Sequence, residues 1–182
     1  ELAQEEQADV FVCELTALLH DVADEKLNAS KEAGLSKVDR WLREQMLPEE
    51  QRSHVMHIIA NMSYNGGGGS RLDTLEGRIV QDADRLDALG AVGIARTFAY
   101  SGWKGQLMYD PELPPRESMT AEQYRKQPST AVNHFYEKLL KLKSLMNTEA
   151  ARRLAEERHR VMEAFLEQFY REAGAPDWAE ST

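Results

Sequence analysis

The 182-residue chain has one cysteine, Cys13. No intramolecular disulfide can form, so packing alone must hold the fold, as befits a reducing, cytoplasmic compartment. Cys13 sits in an apolar stretch with no base beside it, and is expected to pack rather than to act as a nucleophile. Long apolar runs are also missing. None approaches the ~20 residues of a membrane span, and no signal-peptide pattern is present. Period-two alternation is missing too, which excludes a sheet of half-buried strands. No repeat is evident. Positive charge is in deficit: 22 Lys and Arg stand against 31 Asp and Glu, a net charge of −9. That balance disfavours nucleic acid or an anionic membrane as partner. An anionic substrate would need a local cation or a metal.

What is present is helical. At 42% hydrophobic and 29% charged, the chain can build a sizeable core in a single domain over 1–182. Phe11, Leu15, Leu18, Leu19 and Val22 follow helical spacing. A second helix is expected from about Ser36 to Met46, with Ser36 as N-cap. Pro48 opens a third, with acids in its first turn to suit the helix dipole. A fourth starts near Thr74 in "LEGRIVQDADRLDAL", weakens at Gly90 and Gly93, and resumes in "AVGIARTFAYSG". The last two are expected over Thr130 to Leu145 and Thr148 to Ala173, the latter patterned by Leu154, Val161, Phe165 and Phe169. Ahead of these two, four of the six prolines fall in "YDPELPPRESMTAEQYRKQPS", an irregular loop or lid at about 109–129. "GGGGS" closes a glycine-rich loop at 65–70. It reads as a natural loop or as a replaced one, since the same string is a common engineered linker. The fold class is all-α.

Two acidic clusters carry candidate chemistry. "ELTALLHDVADEKL" ends an apolar stripe with His20 and Asp21, followed one turn later by Asp24 and Glu25. Titratable groups there are costly to bury without a partner. An imidazole nitrogen with a carboxylate oxygen suits Mn²⁺, Fe²⁺, Ni²⁺ or Zn²⁺ better than Ca²⁺. The bland alternative is a His that caps the helix end beside a solvated Asp. "VQDADRLDALG" sets Asp82, Asp84 and Asp87 among the apolar row Ile79, Ala83 and Leu86. Asp84 and Asp87 share a face, and Asp82 lies on another side. These acids repel one another unless something positive sits among them, either Arg85 or a divalent metal. His54 and His57 are spaced i, i+3 on one helix and form a weaker candidate pair. His134 and His159 read as surface or packing residues. Lys138, Lys141 and Lys143 with Arg125 and Lys126 form a candidate phosphate patch or a solvated face.

With those residues in place, the chain resembles the HD-domain metal-dependent phosphohydrolases. "LLHDVADEK" matches the adjacent His-Asp pair of that family. "IVQDADRLDALGAVGIARTFAYSG" is similar to its distant-Asp helix, with Asp84 at the ligand position. "SYNGGGG" and the C-terminal helices resemble a subgroup of small, stand-alone bacterial members, so the likeness runs over nearly the whole chain. The resemblance implies an all-helical HD-domain fold around a divalent ion (Mn, Mg, Ni, Fe or Zn), with His20, Asp21 and Asp84 as ligands. It implies Asp24 and Glu25 as the acids beside the attacking water. The family's first His comes from an earlier helix, and "ELAQEEQAD" has no counterpart. Since the chain opens mid-helix and without Met, an N-terminal helix ahead of Glu1 is expected to carry it.

The function so implied is a phosphohydrolase acting on a nucleotide or related phosphate ester, with no nucleic acid and no membrane as partner. Triphosphate pyrophosphohydrolysis, 5′-nucleotidase and phosphodiesterase chemistry all stay open. The alternatives are a non-catalytic nucleotide-sensing or interaction module with a degenerate metal site, and a diiron oxygenase to which only His54 or His57 could add a ligand. The oligomeric state is not legible.

Overall fold

The computed structural model describes residues 1–24, 27–62, 72–116 and 128–175. Among these every regular element is helical, as the periodicity requires. No helix among them is long and apolar enough to cross a membrane. The glycine-rich loop, Glu25, Arg125 and Lys126 lie outside the described residues. The chain divides into two compact units, Glu1–Asp84 and Arg85–Thr182.

In the first unit, α1 (Leu2–Glu5) and α2 (Val10–Leu19) lead into a 3₁₀ turn, His20–Ala23. Asp9 starts α2 by accepting a hydrogen bond from the Val12 amide at 3.1 Å, which satisfies one of the orphan donors of the first turn. The expected stripe of α2 is only partly the buried one. Val12, Cys13 and Thr16 are buried, Leu15 and Leu19 pack half-buried, and Phe11 and Leu18 are exposed. With apolar residues on nearly every side, the spacing alone could not select a face.

Helix α3 (Lys31–Glu44) starts one and a half turns before the expected Ser36. Ser30 is the true cap, accepting from the Ala33 amide at 3.1 Å. Gly34, which looks like a helix breaker, is there for contact instead. A Cβ on Gly34 would stand 2.5 Å from the Ala23 carbonyl oxygen, so only glycine lets α3 cross the 3₁₀ turn this closely. Helix α4 (Glu49–Asn61) follows Pro48 with Glu49 and Glu50 in its first turn. The buried Arg52 joins it to α3 through Asp39 at 3.0 Å. Val38, Leu42, Val55 and Ile58 form the core of this unit with Val12. Helix α5 (Leu75–Asp87) adds Ile79 and Val80 against Ala3 and Cys13.

In the second unit the weakening expected at Gly90 is a full break. Gly90 adopts φ +72° and starts a new helix, α6 (Gly90–Lys104). The single helix expected over Thr130–Leu145 is α7 (Ala131–Glu137) and a 3₁₀ segment (Leu139–Leu145), parted at Lys138. Helix α8 (Glu149–Ala173) keeps its expected bounds, with Thr148 capping the Ala151 amide. Its buried side runs through Ala151, Ala155, His159, Met162, Leu166 and Tyr170, while Val161 is exposed. Small alanines let that side approach closely, and they count for little in a search for large apolar residues. Phe98, Phe135, Phe165 and Phe169 form an aromatic cluster with ring centroids 5.6–6.1 Å apart.

Candidate metal centre

The backbone tightens at His20. Helix α2 ends at Leu19 and the next four residues form a 3₁₀ turn, in which successive side chains rotate by about 120° rather than 100°. His20 and Asp21 therefore diverge on the backbone, yet their tips converge. His20 Nε2 stands 3.3 Å from Asp21 Oδ1. Asp84, near the end of α5, brings its Oδ1 to 3.8 Å from the same nitrogen. The other ring nitrogen, Nδ1, donates to the Ala17 carbonyl at 2.7 Å. That bond uses one of the carbonyls that a helix end leaves without an intrahelical partner.

The electrostatics follow from this placement. The His20 imidazole is pushed up to about 9, chiefly by the neighbouring Asp84 carboxylate. Partial burial opposes the rise, and the Ala17 carbonyl and the Asp21 charge add to it. Asp21 and Asp84 are open to solvent, at 78% and 59% side-chain exposure, while His20 is at 23%. The imidazole is thus the anchored and less exposed group, and both carboxylates reach it from the solvent side.

This donor set fits a divalent ion. Two donors each about 2.1 Å from one ion, set roughly 90–110° apart, are about 3.0–3.4 Å from each other. His20 and Asp21 already stand at that spacing, and Asp84 is a small side-chain rotation beyond it. Among the described residues no three His, Cys, Asp or Glu side chains are already closed around a point. The fit therefore rests on the donor types and on the fixed ring. With its pKa raised by the acids, the ring carries a proton on each nitrogen at neutral pH, and a divalent ion would have to displace the one on Nε2 while Nδ1 keeps its proton for Ala17.

The other predicted residues fall as follows. Asp24 leaves the 3₁₀ turn in extended conformation, so it does not stand one helical turn beyond His20 as the sequence suggests. Its carbonyl accepts from the Asn28 side chain at 2.8 Å, which fixes the exit from the turn. Asp82 is fully buried, on a different side of α5 from Asp84. Asp87 pairs with Arg96, and Arg85 donates to the Leu145 carbonyl. His57 Nε2 lies 2.9 Å from Asp73 Oδ1, and His54 Nε2 lies 3.6 Å from Glu76 Oε2, so each histidine faces its own acid. Cys13 is buried with its thiol pushed up to about 12, first by burial and then by Glu76. Lys143 is paired with Glu156 at 3.1 Å.

Two contributors escaped the sequence reading. Ala17 acts through its backbone, and its only sequence signal is its position three residues before a His at a helix end. Gly34 sets the position of the turn through a contact between segments eleven residues apart, which no local pattern records.

The HD domain family profile matches residues 1–89. An HD-superfamily hydrolase from Bacillus thuringiensis is 55% identical over 96% of this chain and 80% of its own, with a TM-score of 0.76. A Lactobacillus plantarum protein is 46% identical over 96% of this chain and 82% of its own, with a TM-score of 0.80. YpgQ of Bacillus subtilis is 41% identical over 169 residues, which is 92% of this chain and 75% of that protein. The chain belongs to the HD-domain family and has the fold of an HD-superfamily hydrolase. YpgQ has also been crystallised in complex with ADP, in a structure with a TM-score of 0.74 to this one.

Proposed function

We propose that this protein is a metal-dependent phosphohydrolase acting on a nucleotide or a related phosphate ester. The observation that carries this reading is the His20 ring, bound through Nδ1 to the Ala17 carbonyl and facing Asp21 and Asp84 through Nε2. Holding the far nitrogen on a carbonyl is how proteins commonly orient a ligating histidine. The nucleotide part of the reading is supported by the ADP complex of YpgQ.

In this reading His20, Asp21 and Asp84 hold one divalent ion, drawn from Mn, Mg, Ni, Fe and Zn. Such an ion, when bound, lowers the pKa of a water and offsets charge on phosphoryl oxygens. Asp24 and Glu25 orient that water and accept its proton. The Asn28 bond to the Asp24 carbonyl keeps the backbone of this segment in place next to the ligand turn. No covalent nucleophile is needed, and Cys13, buried with a raised pKa, is unsuited to the role.

The test is a panel of nucleoside triphosphates, 5′-monophosphates and phosphodiesters, each with the five metals, with phosphate and pyrophosphate followed separately. Pyrophosphate release from a triphosphate is the version to try first. Metal-dependent product is expected with at least one nucleotide and should vanish in Asp21→Ala. Nucleotide binding with no product under any metal would favour the non-catalytic nucleotide-sensing module instead.

A further inference from the structure

The segment that follows α6 is not simply irregular. Its backbone completes the start of α7. The first turn of a helix has donors without intrahelical acceptors, and those of Ala131, Val132 and Asn133 in α7 are met. The Ala131 amide donates to the Leu107 carbonyl and the Val132 amide to the Met108 carbonyl, both at 3.0 Å. The Asn133 amide donates to the Thr130 hydroxyl at 3.1 Å, and the His134 amide to the Thr130 carbonyl at 3.2 Å. Farther along, the Asn133 side chain donates to the Leu113 carbonyl at 2.9 Å. Tyr109 lies between these ties, its ring 5.8 Å from Phe169 and 5.7 Å from Tyr170.

The lacing ends on one buried carboxylate. The Glu137 side chain is 1% exposed. Arg116 meets it with a guanidinium fork, Nε to Oε1 at 2.7 Å and Nη2 to Oε2 at 2.8 Å. The Arg116 amide adds a bond to Oε1 at 3.2 Å. Ser129 donates to Oε2 at 3.1 Å. A buried carboxylate is tolerable only when paired and hydrogen-bonded in this way, and removing one partner leaves the other stranded.

We infer that residues 106–116 form a strap that opens and closes on α7 as one cooperative element, with the Arg116–Glu137 pair as its lock. The strap carbonyls cap α7, so opening the strap uncaps the helix. Opening also lifts Tyr109 away from the aromatic cluster. The inference stands apart from the proposed chemistry and uses none of its residues.

Amide hydrogen exchange read residue by residue tests it. The reporters are the amides of Arg116, Ala131 and Val132, with Met162 and Leu166 in α8 as references. In Glu137→Gln the three reporters should exchange roughly 10-fold faster or more, and by a common factor, while the references stay unchanged. Arg116→Lys keeps the charge and loses the fork, and should give the same pattern to a smaller degree. It serves as the test should Glu137→Gln not fold. Lys143→Gln, which breaks an exposed pair with Glu156, should leave all five amides as they are. Reporters that accelerate by unrelated factors, that move together with the references, or that do not respond to either lock variant would overturn the strap.

Discussion

His20 Nδ1 donates to the carbonyl of Ala17 across 2.7 Å, and the opposite ring nitrogen is the one that meets the two acids. A backbone acceptor cannot rotate away as a side chain can, so the ring plane and the tautomer are set by the end of α2. The tautomer can be read directly. In Zn²⁺-loaded protein, long-range ¹H–¹⁵N spectra should show the His20 proton on Nδ1. A proton on Nε2 would mean that this nitrogen is not the one offered to a metal.

Gly34 ties the fold to the site. The Ala23 carbonyl oxygen would lie 2.5 Å from a Cβ at this position, and the obstacle is backbone rather than a flexible side chain. Gly34→Ala must therefore push α3 and the His20–Ala23 turn apart. The expected cost is about 1–3 kcal/mol in denaturant unfolding, the usual range for overpacking. Divalent-ion affinity should fall with it, although no ligand is changed. A variant as stable and as metal-competent as the parent would show that the turn is not set by this contact.

The acids after the ligand pair give a kinetic prediction. Asp24→Asn and Glu25→Gln remove a charge and keep the size. At least one should retain metal while losing roughly 10²- to 10⁴-fold in turnover, mainly in kcat. Asp87→Asn is the control, because Asp87 is engaged by Arg96, and it should retain metal. Full turnover in both variants, with full metal content, would leave proton transfer to groups outside this segment.

Acid should weaken the second unit through His134. Its imidazole is pushed down from 6.5 to about 4, first by burial and then by the nearby Lys138, with Glu137 opposing. The folded state thus binds its proton less readily than the unfolded chain does. The contribution to stability is complete above about 6.5 and is lost as pH falls through about 4. Thermal unfolding between those limits should show a loss of about 1–3 kcal/mol, discounted for partial solvent access. His134→Phe should flatten that part of the profile, and an unchanged profile would assign the loss to other groups.

The sequence made some of this legible and hid the rest for identifiable reasons. The helix starts at Pro48, Thr130 and Thr148 were readable because start signals are local. Ser30 was overlooked because Gly34 weakens the helical pattern after it, and the reason for that glycine lies at Ala23. The long apolar run of α2 located the helix but could not orient it. His20, Asp21 and Asp84 were singled out from two separate clusters, and their convergence is a tertiary fact. The Asp87–Arg96 pair spans the break at Gly90, so helical spacing pointed to Arg85 instead.

In the proposed chemistry everything depends on His20, Asp21 and Asp84 sharing one divalent ion. Calorimetric titration of Mn²⁺ into the chelator-treated protein and into Asp84→Ala tests it most directly. Asp84 is exposed and lies outside the apolar cores, so its loss should not disturb the helices, which circular dichroism can verify. The account predicts one site per chain in the parent, with affinity at least roughly 10-fold weaker in the variant. Equal affinity in the two, or a parent that binds none of Mn²⁺, Ni²⁺, Fe²⁺ and Zn²⁺, would contradict it.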